Sequence, residues 1–227
     1  MDRNELKREA AEQAAALVED GMVVGLGTGS TATFFIDALI RRVAAGLKIA
    51  CIPTSERSGE QARAGGLQVV TFATHASIDI AVDGADEIKR DTLDLTKGLG
   101  GALLREKIVA SAAKRFVIIA DGEKLVDWLG TRCPIPIEVT RFAWELTASR
   151  VAAQGATADR RATNGEPYVT DGGNFILDAH FPPIPDAAAL DRALRQIPGV
   201  VETGLFPGMA EMALVADEGG VRTYRAG

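Results

Sequence analysis

Short apolar segments alternate with helical patterns over the first 130 residues of the chain. Apolar residues at helical spacing predict a first helix over 5–19, for which Asn4 is a suitable N-cap. The next predicted elements are strands at 22–26, 48–52, 67–71, 78–82, 93–96 and 116–120, and helices at 32–44, 101–114 and from the cap Ser55 to Ala64. This alternation is typical of a parallel α/β sheet.

A different order of elements begins near Gly130, after which Cys133-Pro134-Ile135-Pro136 interrupts the alternation. The predicted elements are then strands at 135–139, 156–161, 175–179 and 200–205, and helices at 142–153 and 187–195. Their order, βαββαβ, is that of a ferredoxin-like fold. Two last strands, at 212–216 and 221–224, are expected to return to the first domain. We therefore predict an α/β protein with a Rossmann-like parallel sheet domain (1–130 plus 207–227) and an inserted, smaller ferredoxin-like α+β domain (131–206).

The composition narrows the possible partners and compartments. The 227 residues are 47% hydrophobic and 25% charged, as in an ordinary globular protein. The net charge of −6 argues against a nucleic-acid partner, although local lysines and amides can still bind a small anion. The acidic N-terminus does not resemble a targeting peptide, and no apolar run approaches the ~20 residues of a membrane span. We expect a cytoplasmic protein without membrane contact, and interpret Cys51 and Cys133 as inert buried thiols.

The segment Gly27-Thr28-Gly29-Ser30-Thr31 links a predicted strand to a predicted helix and is suited to phosphate. Its glycines allow a sharp turn, its hydroxyls can donate, and the helix start offers N–H groups and a positive dipole end. With Ala32 it also matches Gly-x-Gly-x-x-Ala, so a dinucleotide site and a simple capped turn are alternatives. The dinucleotide hypothesis requires an acid at the end of the second strand, where Pro53-Thr54-Ser55 stands. A monophosphate is therefore favoured.

Two carboxylates, Asp83 and Asp86, flank Gly84 and Ala85 where the strand at 78–82 ends. Ligands of open α/β sheets bind at this carboxyl edge. Neighbouring acids can differ in pKa, so that one serves as an acid or base near neutral pH. They could also hold Mg²⁺, but a nearby lysine would compete with a metal, and a metal-free site is preferred. A solvated turn is the structural alternative.

A lysine and a glutamate follow in Lys97-Gly98-Leu99-Gly100-Gly101 and the helix behind it. On that helix Glu106 shares a face with apolar residues three and four positions away, whereas Arg105 and Lys107 lie off this face. A sheltered carboxylate beside a lysine suits proton abstraction from carbon, although an acid in a first helical turn can also be purely stabilising.

Two further lysines are candidates for a phosphate contact. Lys7 lies on the first helix, and Lys124 follows the strand at 116–120 on the same sheet edge. Each could equally be a solvated surface lysine. His75 and His180 have no partners at metal or triad spacing and are interpreted as structural.

Taken in order, these segments resemble ribose-5-phosphate isomerase of type A. The matching segments, which extend over essentially the whole chain, are Gly27–Ala32, Val82–Ile88, Lys97–Leu103, Arg105–Lys107, Asp121–Val126 and Pro198–Phe206. Leu99 departs from the usual glycine or longer polar residue, which matters little if only its backbone N–H meets the substrate. Ser58 stands where threonine is frequent.

The resemblance implies reversible conversion of D-ribose 5-phosphate to D-ribulose 5-phosphate through a cis-enediolate, without metal or organic cofactor. Glu106 would move the proton between C2 and C1, and Lys97 would hold the developing oxyanion. Asp83 would assist opening of the furanose ring, and Asp86 would orient the hydroxyls and Lys97. A homodimer or dimer of dimers is expected by the same analogy.

The resemblance also implies a set of substrate-binding residues, in which the loop after the first strand, helped by two lysines, grips the phosphate. They are Lys7, Thr28, Gly29, Ser30, Thr31, Asp83, Gly84, Ala85, Asp86, Lys97, Gly98, Leu99, Gly100 and Lys124. The alternatives are a related amino-sugar phosphate deaminase and a non-catalytic sugar-phosphate-sensing domain. More distant ones are a coenzyme A transferase, which needs a longer chain, and an NAD-binding oxidoreductase.

Overall fold

The computed structural model describes residues 2–226, so the outermost positions of the predicted domain ranges, 1 and 227, lie outside the described residues. The chain forms two compact units. The first runs to Ala85, includes Arg105–Lys124 and resumes at Met209. The second comprises Asp86–Leu104 and Leu125–Gly208.

The described residues form helices and strands with the following bounds. The helices are α1 (Arg3–Ala15), α2 (Ser30–Ala44), α3 (Glu56–Ala64), α4 (Leu103–Ser111), α5 (Trp144–Ala152) and α6 (Ala187–Arg195), with a 3₁₀ turn at Gly122–Lys124. The strands are β1 (Val23–Leu26), β2 (Ala50–Pro53), β3 (Gln68–Val69), β4 (Ile78–Asp83), β5 (Glu87–Lys89), β6 (Leu95–Thr96), β7 (Ala113–Asp121), β8 (Leu125–Val126), β9 (Ile135–Val139), β10 (Thr157–Arg160), β11 (Ala162–Thr163), β12 (Glu166–Pro167), β13 (Phe175–His180), β14 (Val200–Thr203), β15 (Leu205–Phe206), β16 (Met212–Asp217) and β17 (Gly220–Arg225).

The first unit is built on a seven-stranded sheet in the order β17-β16-β7-β4-β1-β2-β3. Its strands pair in parallel except for the edge strand β17, which is antiparallel to β16. This confirms the predicted Rossmann-like sheet. The strand order reverses between β1 and β4, and such a switch point is where open α/β sheets bind their ligands, beyond the carboxyl ends of the strands.

The strands of this sheet are apolar because helices cover both faces, as a parallel sheet requires. The core includes Leu26, Val82 and Ile119 from the sheet and Phe35 and Leu39 from α2, all at most 1% exposed. Helix α1 packs through small residues, with its buried positions at Ala10, Ala11, Ala14 and Ala15. Hydrophobic burial of this kind is the main stabilising contribution to such a unit.

The second unit contains the four-stranded antiparallel sheet β10-β13-β9-β14 with α5 and α6. Numbered by the order of its own strands this is 2-3-1-4, which is the ferredoxin-like arrangement expected from the sequence. A smaller sheet in the same unit has the order β15-β6-β5-β8. It places Lys97 directly after a strand, because β6 ends at Thr96.

Several local predictions from the sequence are wrong in detail. The first helix is capped by Asp2, whose backbone N–H donates to Glu5 at 2.8 Å, and not by Asn4. The strands β5, β11 and β12 are not predicted, since two or three residues have no detectable period. Cys51 is buried, as expected, but Cys133 is partly exposed.

Within residues 2–226 none of the helices combines the length and the apolar character that crossing a membrane requires.

Candidate active site

The carboxylate of Asp83 is fixed against the loop that follows β1. Asp83 ends β4 and is 2% exposed. Its Oδ1 accepts hydrogen bonds from the backbone N–H groups of Thr28, at 3.0 Å, and Gly84, at 2.7 Å. The loop can approach this closely only because position 27 is glycine: a Cβ on Gly27 would lie 2.1 Å from Asp83 Oδ1. The structure thus brings the glycine-rich loop Gly27–Thr31 into direct contact with Asp83.

The loop itself is braced by a group of hydroxyls at the end of β2. The Thr28 hydroxyl lies 2.7 Å from the Thr54 hydroxyl and 2.8 Å from that of Ser55. Thr54 Oγ1 in turn donates to the Leu26 carbonyl at 3.0 Å. From the sequence, Ser55 is expected only to cap the next helix, a role it does fill by accepting the Ser58 N–H. Its second contact, to Thr28, is not predicted.

Other candidates for phosphate binding gather around the start of α2. Gly29, the N-cap, has a φ of 108°, a conformation that favours glycine. Lys7 Nζ donates to the exposed Ser30 hydroxyl at 3.0 Å, which places an ammonium group at the helix N-terminus. Thr31 lies beside Gly84, with its Cβ 4.0 Å from the position a Gly84 Cβ would occupy. This arrangement offers hydroxyls, N–H groups and one cation to an anion.

Lys124 closes the 3₁₀ turn that follows β7. The turn is held by Asp121, which is 2% exposed and accepts Arg3 Nε and the Glu123 N–H, each at 3.2 Å. The hydrogen bond to Asp121 is the main cause of the raised pKa of the Arg3 guanidinium. Lys124 is half-buried and lies after the carboxyl end of a strand in the same sheet as β1 and β4.

Glu106 lies in the first turn of α4 and is 5% exposed. Its apolar neighbours three and four positions away, Leu103, Val109 and Ala110, are also buried, as the helical spacing predicts. Lys107, expected off this face, is nevertheless buried, at 9% exposure. Arg105 is partly exposed and forms an ion pair with Glu56 at 2.8 Å. A carboxylate sheltered from water to this degree is suited to act as a base toward carbon.

Lys97 belongs to the second unit and is 2% exposed. Its backbone N–H donates to the Gly204 carbonyl at 2.8 Å, and its ammonium lies 5.7 Å from the centre of the Phe206 ring. The segment Pro198–Phe206 therefore contacts both the backbone and the side chain of the lysine. Position 204 must be glycine, since a Cβ there would lie 2.2 Å from the Lys97 carbonyl oxygen.

The glycine-rich turn after Lys97 is held by Asp86, whose Oδ2 accepts the Leu99 N–H at 2.9 Å. This contact agrees with the expectation that Asp86 orients the lysine segment. The Leu99 N–H, considered from the sequence as a contact for the substrate, donates to this carboxylate in the structure. Gly98 adopts a φ of 105°, so the turn also depends on glycine. The Leu99 side chain is 43% exposed.

Arg161 is absent from every motif of the sequence and yet contacts this turn. Its Nη1 donates to the carbonyls of Gly98, at 2.9 Å, and Leu99, at 3.1 Å. The arginine lies about sixty positions further along the chain, at the end of the strand predicted at 156–161, and no local signal marks it.

The sequence candidates therefore divide between the two compact units. The first unit holds Lys7, Thr28, Gly29, Ser30, Thr31, Asp83, Gly84, Ala85, Glu106 and Lys124, and the second holds Asp86, Lys97, Gly98, Leu99 and Gly100. Among residues 2–226 no group of three or more histidine, cysteine, aspartate or glutamate side chains is arranged to bind a metal ion.

Comparison with known proteins gives matches along nearly the whole chain. Residues 50–220 match the family model described as ribose 5-phosphate isomerase A (phosphoriboisomerase A). The chain is 53% identical over 221 residues to ribose-5-phosphate isomerase A of Gloeobacter violaceus, covering 97% of this chain and 96% of the relative. It is 55% identical over 225 residues to the protein of that name from Gluconobacter oxydans, covering 98% and 97%.

Solved structures give the same result. Ribose 5-phosphate isomerase A of Methanocaldococcus jannaschii is 40% identical, with a TM-score of 0.94 over 99% of this chain and 100% of that one. A D-ribose-5-phosphate isomerase in complex with phospho-erythronic acid is 38% identical, with a TM-score of 0.96 and the same coverage.

Proposed function

The chain belongs to the ribose 5-phosphate isomerase A family and isomerises ribose 5-phosphate, and we propose that it does so with Glu106 as the catalytic base. The observation that carries the proposal is the burial of this carboxylate in the first turn of α4, in the same compact unit as Asp83 and the loop after β1. The reaction interconverts D-ribose 5-phosphate and D-ribulose 5-phosphate through a cis-enediolate. It belongs to the pentose phosphate pathway.

The reaction begins with opening of the furanose ring. The Asp83 carboxylate takes the proton of the anomeric hydroxyl, C1=O forms as the C1–O4 bond breaks, and the same proton is passed to O4. Its hydrogen bonds from the Thr28 and Gly84 N–H groups fix its direction, so that little reorganisation accompanies the step.

Proton transfer follows in the open-chain aldose. The Glu106 carboxylate removes the proton from C2, the C1=O double bond becomes an enediolate, and negative charge develops on O1. Glu106 returns the proton to C1, and the hydroxyl proton on O2 moves to O1 as C2 becomes the ketone. A base that holds one proton throughout has to be shielded from water, which is the condition of Glu106 at 5% exposure.

Lys97 supplies the positive charge that the enediolate oxygen requires. Preorganised charge of this kind usually contributes about 3–4 kcal/mol to the transition state. Its burial at 2% exposure and the contact of Asp86 with the adjoining turn support the role, since both restrict the lysine segment.

The phosphate is gripped by Thr28, Gly29, Ser30 and Thr31, with Lys7 and Lys124 as cationic partners. The Lys7–Ser30 hydrogen bond and the start of α2 support this assignment. Gly84 and Ala85, beside Asp83, and Gly98, Leu99 and Gly100, beside Lys97, complete the substrate-binding set. The free energy of binding the phosphate, which is remote from the reaction, positions the reacting carbons. A solved relative in complex with phospho-erythronic acid suggests the same acid as an inhibitor of this chain.

One assay tests the function directly. The purified protein is incubated with D-ribose 5-phosphate in buffer treated with EDTA, and formation of D-ribulose 5-phosphate is followed. We expect turnover without added metal, and slower turnover in the presence of phospho-erythronic acid. Absence of product, or product only after a divalent metal is added, would contradict the proposal of a metal-free isomerase.

Three broader assignments accompany the proposed mechanism. The domain ranges are 1–130 plus 207–227 for the catalytic domain and 131–206 for the ferredoxin-like domain; the compact units differ from these ranges by assigning 86–104, 125–130 and 207–208 to the second unit. The working form is a homodimer or dimer of dimers, which sedimentation can test. The compartment is the cytoplasm, where a charged pentose phosphate that cannot cross a bilayer is made and used.

A further inference from the structure

We propose that Arg161, held by Asp178, is a positioning residue for the turn that carries Lys97, and that it acts on the chemical step rather than on substrate affinity. The inference rests on the proposed role of Lys97. It adds a residue that neither the sequence motifs nor the proposed mechanism contains. Through this residue, the ferredoxin-like part of the second unit affects the chemical step.

The guanidinium of Arg161 binds two successive carbonyls of the turn. Its Nη1 donates to Gly98 at 2.9 Å and to Leu99 at 3.1 Å. The Gly98 carbonyl also accepts the Gly101 N–H at 3.0 Å, which closes the turn. On the other side of these peptides, the Leu99 N–H donates to Asp86 at 2.9 Å. The peptide between Gly98 and Leu99 is therefore fixed at its oxygen by a cation and at its nitrogen by an anion.

Arg161 is itself immobilised. Its Nε and Nη2 donate to the two carboxylate oxygens of Asp178 at 2.9 and 2.5 Å, and both side chains are mostly buried, at 12% and 22% exposure. A forked pair of this type fixes the plane of the guanidinium as well as its position. Its backbone N–H donates to Ile176, and its carbonyl accepts the Tyr168 N–H. Asp178 and Ile176 lie on β13, so the arginine is anchored to the four-stranded sheet.

Tyr168 packs against the far end of the same turn. Its hydroxyl would lie 2.0 Å from a Cβ on Gly101, and its ring centre is 5.8 Å from the Arg161 guanidinium carbon. At the near end, the Lys97 N–H is bonded to Gly204. Between these two fixed points the glycines at 98, 100 and 101 leave the backbone free to adopt other conformations. The contacts of Arg161 and Asp86 select one of them.

A lysine that stabilises an oxyanion has to be in place when the charge develops. A displacement of about 1 Å can reduce the rate about 100-fold while ground-state binding changes little. Loss of Arg161 is therefore expected to lower kcat more than it changes KM. A merely structural arginine would instead lower the melting temperature and leave the kcat of the folded protein unchanged.

The chain offers a matched control in the preceding residue. Arg160 has the same charge and lies in the same segment, but its guanidinium stacks on Trp144 at 4.3 Å and Phe175 at 5.2 Å. The variants Arg161→Ala and Arg160→Ala thus remove equal charge from neighbouring positions, and only the first removes contacts with the turn.

The experiment compares kcat and KM for D-ribose 5-phosphate in Arg161→Ala, Arg161→Lys, Asp178→Asn, Arg160→Ala and Lys97→Ala. We expect Arg161→Ala to lower kcat about 10- to 100-fold with KM within about threefold. Arg161→Lys should recover only part of this loss, because one ammonium cannot serve both carbonyls and the Asp178 fork. Asp178→Asn should give a smaller loss, and Arg160→Ala none.

Two readouts separate positioning from instability. Each kcat is measured below the onset of thermal unfolding of that variant, and millimolar guanidinium chloride is added to Arg161→Ala, where we expect it to restore part of kcat. An unchanged kcat in Arg161→Ala, or an equal loss in Arg160→Ala, would overturn the inference. If Lys97→Ala loses kcat and Arg161→Ala keeps it, only the positioning role of Arg161 is refuted. If Lys97→Ala keeps its kcat, the proposed role of Lys97 is refuted.

Discussion

At the scale of single residues, the candidate catalytic groups are directed by backbone contacts at very short range. Asp83 is held by the N–H groups of Thr28 and Gly84, and Asp86 holds the N–H of Leu99. At position 27 the contact between the loop and Asp83 leaves no room for a side chain, so this residue is glycine.

Substitution of Gly27 by alanine should impair both folding and catalysis. The new methyl group would lie 2.1 Å from Asp83 Oδ1, so the loop or the carboxylate has to move. Overpacking of this kind costs about 1–3 kcal/mol, and the displaced carboxylate should reduce kcat. Thermal unfolding and steady-state kinetics of Gly27→Ala would measure the two effects.

Gly46→Ala serves as the control for this variant. Gly46 has a φ of 112° and no atom within 4 Å of the position of a Cβ, so the substitution adds only backbone strain, about 1 kcal/mol or more. It should lower the melting temperature and leave kcat unchanged. A Gly27→Ala enzyme with full activity would show that Asp83 does not depend on the close approach of the loop.

Much of the candidate site at this scale could be predicted from the sequence, because glycines, hydroxyls and acids cluster within short segments. The positions of Asp83, Lys97 and Glu106 on strand end, turn and helix agree with those expectations. Arg161 could not be predicted, since its contacts reach residues about sixty positions away. The occupied N–H of Leu99 could not be predicted either, because it depends on a side-chain direction that no pattern encodes.

At the scale of elements, the short strands β5 and β6 place Asp86 and Lys97 at their ends. Glu87, fully buried in β5, connects the two strands to the turn at 130–132. Its carboxylate accepts the Thr96 hydroxyl at 2.9 Å, the N–H groups of Gly130 and Arg132, each at 2.7 Å, and the Thr131 hydroxyl at 3.4 Å. The stability of both strands therefore depends on one buried acid.

Removal of this carboxylate should destabilise the second unit strongly. Glu87→Ala leaves the buried Thr96 hydroxyl, the Thr131 hydroxyl and two partly buried N–H groups without their acceptor, at a cost of about 3 kcal/mol and about 6 °C or more in melting temperature. Glu87→Gln keeps one acceptor oxygen and should lose less. Calorimetry of both variants, with exposed Glu166→Ala as control, measures the difference. A shift below about 2 °C in Glu87→Ala would refute the structural role of this acid.

Which elements could be predicted depends on their length. Apart from the two-residue β3, the strands of the first sheet and the helices have enough residues to show a period, and they appear near the expected positions. The strands β5, β11 and β12 have two or three residues each, and their formation depends on pairing with partners rather than on their own pattern. No strand is predicted from the sequence between 82 and 93, whereas Glu87 already lies in β5.

At the scale of the whole molecule, the amino and carboxyl edges of the first sheet have different roles. The carboxyl edge carries Asp83 and the loop after β1. At the amino edge Asp79 joins three neighbouring strands, since its carboxylate contacts Lys114 Nζ at 2.7 Å and accepts the Val23 N–H at 2.9 Å. The hydrogen bond from Lys114, followed by that from Val23, lowers the pKa of Asp79.

This lowered pKa predicts how stability changes with pH. The ionised Asp79 stabilises the fold at pH values above the pKa of the unfolded chain, about 4, and this contribution is lost as the pH falls toward the lower folded-state value. Asp79→Asn should therefore be less stable than the unaltered protein at pH 7, by up to about 1 kcal/mol. The difference should shrink below about pH 4, with activity at pH 7 unaffected.

Thermal unfolding between pH 3 and pH 7 measures this effect, and Lys114→Gln is the matched variant. It should lose part of the same stabilisation, and the double variant should lose less than the sum of the two. A difference between Asp79→Asn and the unaltered protein that stays constant over this pH range would contradict the assignment.

The central claim is that Glu106 is the base of the isomerisation, and the most direct measurement is the kcat of Glu106→Gln on D-ribose 5-phosphate. The variant keeps the size of the side chain and removes its ability to take a proton, so we expect kcat to fall about 10²- to 10⁴-fold. Substrate binding, measured by calorimetry, should stay within roughly tenfold. Glu60→Gln, the same substitution at an exposed position of α3, should retain full activity. A kcat for Glu106→Gln within about threefold of the unaltered enzyme would exclude Glu106 as the base.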